Sequence, residues 1–353
     1  MTMTYLQAVS QISLQEPLCE KWFETPVVPA AAYNESQDPD YKGFFAPMVA
    51  RRMGKLLKRA VATALDLQKR TDLENLDGII IGTGLGCISN TEKFMNDMLD
   101  NGEENMSPTY FMQSTHNTIA SQIALFLKCH GYNSTYSQRG ISFESALFDA
   151  FLQMKLGELH KVIVGGHDEM TPAYFEMLGK VGWWKTGDIS ENVLRQANSE
   201  GSLSGSCSIN MLLSDSRDDQ SLCEIKEVRL FTQRTTAELK DELSILLKQN
   251  NLTLNDLDVI VCGFSGSRDN DAVYHHFLEE IEFKKAVAWY KHLFGEGFCS
   301  AAFGLYAAAN ILKKNMLPPH LLYQNPSAQD IRHILVYNHF KNKEHSFILL
   351  SKC

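Results

Sequence analysis

The chain states nearly the same pattern twice, and this repetition constrains its fold more than any single motif. ENLDGIIIGTGLG at 74–86 and NDLDVIVCGFSG at 255–266 each pass from a polar helical stretch ending in Leu-Asp into a short β-branched strand that a glycine breaks, Gly82 in one and Gly263 in the other. The offset is 181 residues, from Leu76 to Leu257. HKVIVGGHDEM (160–170) is matched by RHILVYNHF (332–340), and SCSINMLLSD (206–215) by EHSFILLSK (344–352). The stretch ISFESALFDAF after Gly140 reads as an amphipathic helix, with CSAAFGLYAAANILKKN (299–315) as its counterpart. Two αβ halves, 1–217 and 218–353, with no Pro/Gly/Ser-rich linker between them, imply a duplication packed into one body.

Helix patterning assigns layers to this body. In MGKLLKRAVATALDLQ, one predicted helix, Met53, Leu56, Leu57, Ala60, Val61, Ala64 and Leu65 follow the i, i+3, i+4 rule and give a single buried face, as an outer helix has. Residues 301–312 are apolar nearly all round, which a helix enclosed between two sheets requires. With 353 residues, 44% of them hydrophobic, the chain can bury a core of that size.

Several function classes are excluded at this level. A net charge of −9 argues against general nucleic-acid affinity, which needs a broad basic surface. Apolar runs such as SAAFGLYAAANIL are too short to span a bilayer, and MTMTYLQAVSQ has neither the basic start nor the apolar block of a signal peptide. The expectation is a cytoplasmic protein without membrane insertion. Eight cysteines without a CxxC pair give neither a disulfide framework nor a zinc ribbon, and no metal or cofactor site is expected. GTGLG, with no Gly-Lys-Ser/Thr after it, reads as a turn. GSLSG and GFSGS lack the spacing of a hydrolase elbow. His275, His276 and His292 have no spaced ligand partners and read as surface or helix-end residues; Trp183-Trp184 reads as loop packing, and the HDEM turn as a structural cap.

In order and spacing, RRMGKLLKRAVATAL, IGTGLGC, SPTYFMQSTHNTIASQIAL, VIVGGHDEMTP, FGEGFCSAAFGL and ILVYNHF resemble the β-ketoacyl synthases of the thiolase superfamily, over nearly the whole chain. The resemblance implies an α/β fold, the duplicated five-layer αβαβα sandwich. It also implies a cysteine nucleophile and two histidines, the cysteine holding the acyl chain and the histidines serving decarboxylation and the oxyanion. Carried over position by position, the nucleophile falls on Gly140, the first histidine on Gly263 and the second on Glu296, and Lys341-Asn342-Lys343-Glu344 replaces the glycine-rich loop after Phe340. Nucleophile and both histidines are absent.

That pattern resembles the chain-length factors, the inactive members of synthase heterodimers, most of all those of aryl-polyene and flexirubin-type pathways. It implies an active ketosynthase and an acyl carrier protein as partners in polyketide or fatty-acid-type elongation, with no cofactor. Phe143, Phe264, Phe298 and Phe340 are acyl-channel candidates. Arg51, Arg52 and Lys55, within a basic run that continues to Lys58 and Arg59, are candidates for docking the acidic carrier. The alternatives are a synthase or acyltransferase of the same fold using Cys299 or Ser142, and a homodimeric acyl-binding scaffold. Cys262, in a buried strand, reads as an apolar filler.

Overall fold

The computed structural model describes residues 2–102, 104, 106–187, 189–325 and 330–353. Its strands are β1 (Tyr5–Ile12), β2 (Gly78–Gly82), β3 (Tyr132–Tyr136), β4 (Lys161–Asp168), β5 (Cys207–Ser214), β6 (Cys223–Thr232), β7 (Val259–Cys262), β8 (Ala286–Trp289), β9 (Leu322–Gln324), β10 (His333–Phe340) and β11 (Glu344–Ser351). They pair in the order β3-β2-β4-β5-β1-β6-β11-β10-β7-β8-β9. From the centre outward, β1-β5-β4-β2-β3 is mirrored by β6-β11-β10-β7-β8, with β9 added at one edge. The pairing senses match as well: β2 is parallel to β3 and β4, as β7 is to β8 and β10, and the strands nearer the centre are antiparallel. Among the described strands, the sheets of the two halves pair where Tyr5 meets Glu224 and Leu6 meets Cys223.

The layers follow from side-chain alternation along the inner parallel strands β2 and β7, which are buried on both faces and apolar. On β2, Ile80 enters the central core and Ile79 and Ile81 an outer one; on β7, Val259 and Val261 point inward and Ile260 and Cys262 outward. The central core unites the inner faces of both halves around two helices, Ser142–Leu156 and Ala301–Lys314, so the sheet folds back on itself at the β1/β6 junction. Lys55–Arg70 and Thr118–Leu127 cover one outer face, and Thr236–Gln249 and Arg268–Glu280 the other. This is the five-layer α/β arrangement expected from the sequence.

Two helices differ from their sequence reading. The basic segment is not one helix from Met53: a short helix Pro47–Arg52 ends at Met53, and a second begins at Lys55 with Gly54 as its extended N-cap. Gly54 packs so closely on Asn90 that an added Cβ would stand 2.8 Å from Nδ2, so the break is built into the packing. The helix Ser142–Leu156 is not amphipathic in the ordinary sense. Its first turns are enclosed, and the face it does expose carries Phe148, Leu152 and Leu156 at 38%, 41% and 67% exposure. Residues 301–312, by contrast, are buried without exception, as their composition requires.

Candidate functional site

Gly140, Gly263 and Glu296 come from three separate turns that the fold brings to one place. Gly140 lies in the tight turn Arg139–Ile141 leading into the first central helix, Gly263 follows β7, and Glu296 precedes the second central helix. A cleft of about 330 Å³ is lined by Gly263, Lys291, Glu296 and Phe340 among others, and Phe340 touches Gly140.

Each of the three positions is filled from within the chain. A Cβ on Gly140 would lie 2.2 Å from Cδ2 and 2.3 Å from Cγ of Phe340, so the ring occupies the space of a side chain there. A Cβ on Gly263 would meet the Tyr274 hydroxyl at 2.5 Å, Asn338 Oδ1 at 2.6 Å and Lys291 Cε at 3.0 Å. Tyr274 is itself fixed, donating to Asn338 Oδ1 (3.3 Å) and accepting from the His339 backbone N–H (3.2 Å). Glu296 accepts from Lys291 Nζ (2.8 Å), Ser300 Oγ (3.0 Å) and the Gly297 N–H (3.1 Å). Its backbone is clamped by the GSLSG segment, through Glu296 N–H to Leu203 O (2.7 Å) and Gly205 N–H to Glu296 O (2.9 Å). GSLSG therefore orients the loop that carries Glu296.

Behind these positions lies a buried polar layer. Glu144 accepts through Oε1 from Asn338 Nδ2 (2.9 Å) and Ser346 Oγ (3.2 Å), while its Oε2 has no partner among the described residues. Burial raises its pKa to about 7, and the Asn338 hydrogen bond draws it partly back. Asp271, which caps the turn after β7 by accepting from the N–H groups of Ser265 (2.8 Å) and Gly266 (2.9 Å), is likewise raised by burial to about 7. His339 is kept neutral by burial, its pKa near 3. Its Nε2 donates to Asn270 O (2.9 Å) and its Nδ1 accepts from the Asn342 N–H (3.2 Å), so both ring nitrogens are engaged within the chain.

The remaining candidates divide. Phe298 and Phe340 meet at 5.8 Å between ring centres beside the cleft, joined by Trp183 at 5.7 and 5.9 Å. Phe143 lies in the central core against Gly166. Phe264 turns to the outer layer, stacked face to face on Tyr323 at 4.0 Å, and is not part of the cleft wall. The thiol of Cys299 donates to Gly82 O (3.3 Å) and is fully buried; burial, reinforced by Asp168, raises its pKa well above the ordinary cysteine range, which disfavours the thiolate. Ser142 Oγ is tied between Arg139 O (2.7 Å) and Gln138 N (2.9 Å). Cys262 is buried in the outer core, as a filler.

His292 is not a surface residue: it is buried, stacked 3.7 Å from Trp289, with Nε2 on His320 O (2.8 Å) and a pKa lowered by burial to about 3. The HDEM turn does cap structure, since Asp168 receives Thr83 Oγ1 (3.0 Å) and the N–H groups of Gly84 (3.0 Å) and Leu85 (2.8 Å). That fixes GTGLG as a turn, with Gly84 needed because a Cβ would lie 2.4 Å from Phe298. Arg51 and Arg52 are exposed, Lys55 is paired with Glu35 (2.7 Å), and Arg59 is buried against Asp38 (2.6 Å). Trp183, read from the sequence as loop packing, and Lys341, whose Nζ lies 4.2 Å from the Trp183 ring centre, join the cleft wall. The signal for Lys341 was the lysine-rich turn standing where the resemblance implied a glycine-rich loop. No group of three or more His, Cys, Asp or Glu side chains among the described residues is arranged to hold a metal, and no described helix is long and apolar enough to cross a membrane.

The family described as "Beta-ketoacyl synthase, N-terminal domain" matches residues 21–239. No curated protein sequence matches the chain. Among solved structures, the ishigamide ketosynthase/chain length factor superposes with a TM-score of 0.84 at 15% identity, covering 100% of this chain and 99% of that one. The ketosynthase ApeO in complex with its chain length factor ApeC from Xenorhabdus doucetiae gives 0.79 at 12%, covering 100% and 98%. A type II polyketide acyl-carrier protein in complex with its hexaketide-bound ketosynthase, AntDE:AntF, gives 0.77 at 13%, covering all of both chains. At these identities the likeness is one of fold.

Proposed function

The chain belongs to the β-ketoacyl synthase family, and from that premise we propose that it is a non-catalytic, chain-length-factor-like subunit that pairs with an active ketosynthase and shapes its acyl channel during carrier-bound polyketide or fatty-acid-type elongation. The observation that carries this reading is the filling of Gly140, Gly263 and Glu296 by Phe340, by Tyr274 and Asn338, and by Lys291. A site that had merely exchanged one catalytic group for another would keep room for a substrate carbonyl beside a nucleophile and a donor. Here the nucleophile position is closed by an aromatic ring, and Cys299 is sealed.

An inactive copy retains a use where it contributes surface to a partner. The helix Ser142–Leu156 exposes Phe148, Leu152 and Leu156 one turn apart, next to the unpaired edge of β3. An apolar stripe on an otherwise enclosed helix marks an interface. On this reading Phe298 and Phe340 line or close the channel, Phe143 backs it, and Arg51 and Arg52 meet the acidic carrier. Lys55, already engaged by Glu35, adds less. The halves divide at 217/218, and the protein works in the cytoplasm beside its carrier.

The test is a pull-down of the native chain from its own cell. An intact Cys-His-His synthase in one-to-one ratio is the expected result, with elongation requiring both chains. Robust condensation of malonyl-carrier by this chain alone would refute the reading.

A further inference from the structure

The stretch 189–205 belongs by sequence to the first half, since it precedes β5, yet its side chains are built into the second half. Leu194 and Leu203 are buried in the outer core that holds Ile260 and Cys262, with Ile189 packed against it. Leu194 presses so closely on the turn after β7 that a Cβ on Gly266 would stand 2.7 Å from its Cδ2. Glu200 accepts from Ser267 Oγ (2.9 Å) and the Asp269 N–H (3.2 Å), at the start of the helix Arg268–Glu280. The stretch therefore crosses from one half to the other as a strap. Its end, 203–205, is the clamp on the Glu296 backbone, and Glu200, Gly201 and Ser202 form part of the cleft wall.

Arg195 fastens this strap. It lies in a helix of six residues, Glu191–Gln196, well short of the about 12–15 that hold a helix in water without tertiary help. Its guanidinium donates through Nη1 to Tyr323 O (2.6 Å) and through Nη2 to Leu322 O (3.0 Å), both on β9, the edge strand of the second half. Its Cζ also stands 4.9 Å from the ring centre of Trp289 and 5.3 Å from that of Tyr323. Tyr323 in turn donates its hydroxyl to Arg195 O (3.3 Å) and stacks on Phe264, the chain neighbour of Gly263. Two carbonyl contacts and two ring contacts made by one planar fork are a set that a lysine does not reproduce. The Arg195 side chain is 33% exposed, so the contact reaches the surface.

We propose that 189–205 is a strap latched by Arg195 to the β8/β9 edge, and that opening the latch loosens the Glu296 turn and the cleft wall together. The coupling runs through one continuous segment. Leu194, beside Arg195, bears on the turn after β7, and further along the same strap Leu203 O and Gly205 N–H hold Glu296. A change at the outer edge of the second half thus reaches the cleft without passing through the central core. This device stands whether or not the chain pairs with a synthase.

The experiment is amide hydrogen exchange by mass spectrometry on the full chain, read in peptides that cover 203–205 and 295–297, where the Gly205 and Glu296 N–H groups are hydrogen-bonded across the clamp. Arg195→Met keeps an apolar stem against the rings and loses both carbonyl contacts. Exchange in these peptides is expected to rise at least tenfold, with 301–312 and 79–81 unchanged. Glu191→Gln alters only the contact that Arg195 makes within its own helix (2.9 Å) and should stay within twofold of wild type. Arg195→Lys keeps the charge without the fork and should raise exchange by a smaller factor, which gives a reading if methionine costs the fold. A rise confined to 191–197 would show that Arg195 holds only its own helix, and an equal rise in 301–312 would be general destabilisation. A Glu191→Gln effect as large as that of Arg195→Met would place the latch within the helix. Any of these three results overturns the proposal.

Discussion

Phe340 stands where a side chain on Gly140 would have to be, its Cδ2 2.2 Å and its Cβ 2.8 Å from the position of a Cβ there. The contact at Phe340 Cβ means that rotating the ring is not enough, and the β10 end must shift as well. Gly140→Cys is therefore expected to destabilise the fold by about 1–3 kcal/mol, as overpacking of an enclosed site does. Gly140→Cys/Phe340→Ala should recover only part of that loss, because alanine keeps the Cβ that stands 2.8 Å away. Neither variant should condense malonyl-carrier, because Gly263 and Glu296 remain filled from within the chain and groups acting as a unit do not contribute singly. Chemical denaturation reads the first part and a condensation assay the second; a Gly140→Cys protein as stable as the parent would show that the ring is not held.

The Lys291–Glu296 pair makes a second prediction. Lys291 is enclosed, and its ammonium lies 2.8 Å from Glu296, so Glu296→Gln leaves a buried cation without its counter-charge. The expected cost is about 3 kcal/mol, the range for breaking a buried pair from one side. Lys291→Met/Glu296→Gln should be more stable than Glu296→Gln alone, giving a coupling energy of about 2 kcal/mol in a double-mutant cycle. Urea unfolding of the four proteins measures it, and strictly additive effects would mean that the two groups are solvated separately.

Glu144 ties stability to pH. Its folded pKa of about 7 lies above the ordinary 4.5, so the folded chain holds this proton more tightly than the unfolded one does. Stability from this group is full below about pH 4.5, falls as pH rises, and is lost above about pH 7. Glu144→Gln mimics the protonated acid and keeps an oxygen for Asn338 and Ser346. Relative to wild type it should gain about 2–3 kcal/mol between pH 5 and pH 8. The comparison must be a difference, because Asp271 behaves as Glu144 does, while His167 and His339, lowered by burial to about 4 and about 3, lose stability in the opposite direction as pH falls below 6.5. A difference that does not change with pH would place the Glu144 carboxylate in contact with water.

The parts of this structure that were legible in the sequence are those fixed by local periodicity. Ile79–Ile81 and Val259–Cys262 had to be strands buried on both faces, and 301–312 had to be enclosed, because no other placement covers their apolar atoms. Gly140, Gly263 and Glu296 could be named from the family resemblance. What fills them could not, since Phe340 reaches Gly140, and Asn338 reaches both Gly263 and Glu144, only through the return of β10 from the far end of the sequence. The helix break at Gly54 was hidden for the same reason, its cause being Asn90 on another element. Phe264 kept the composition of a channel residue while its ring turned outward onto Tyr323. Phe264 lies just past β7 and shares the outer core with Ile260 and Cys262, so the alternation of the strand already points it outward.

The last prediction concerns the exposed face of the first central helix. Phe148, Leu152 and Leu156 repeat every four residues, so they form one stripe, and the strand beside them, β3, is paired only to β2. β3 is short and carries no charged residue, so nothing on it blocks continuation of the sheet into a second subunit. A stripe of this kind left in water costs about 25 cal/mol for each Å² of apolar surface, and burying it against a partner supplies a large part of a stable interface. Leu152→Asp/Leu156→Asp should leave the fold intact, since both side chains are already largely exposed, and should abolish one-to-one association with the partner synthase. Size-exclusion chromatography with mass detection on the co-expressed chains distinguishes the outcomes. Loss of the complex with unchanged thermal melting of the isolated subunit is expected; a complex of unaltered mass and affinity would mean that the partner sits on another face.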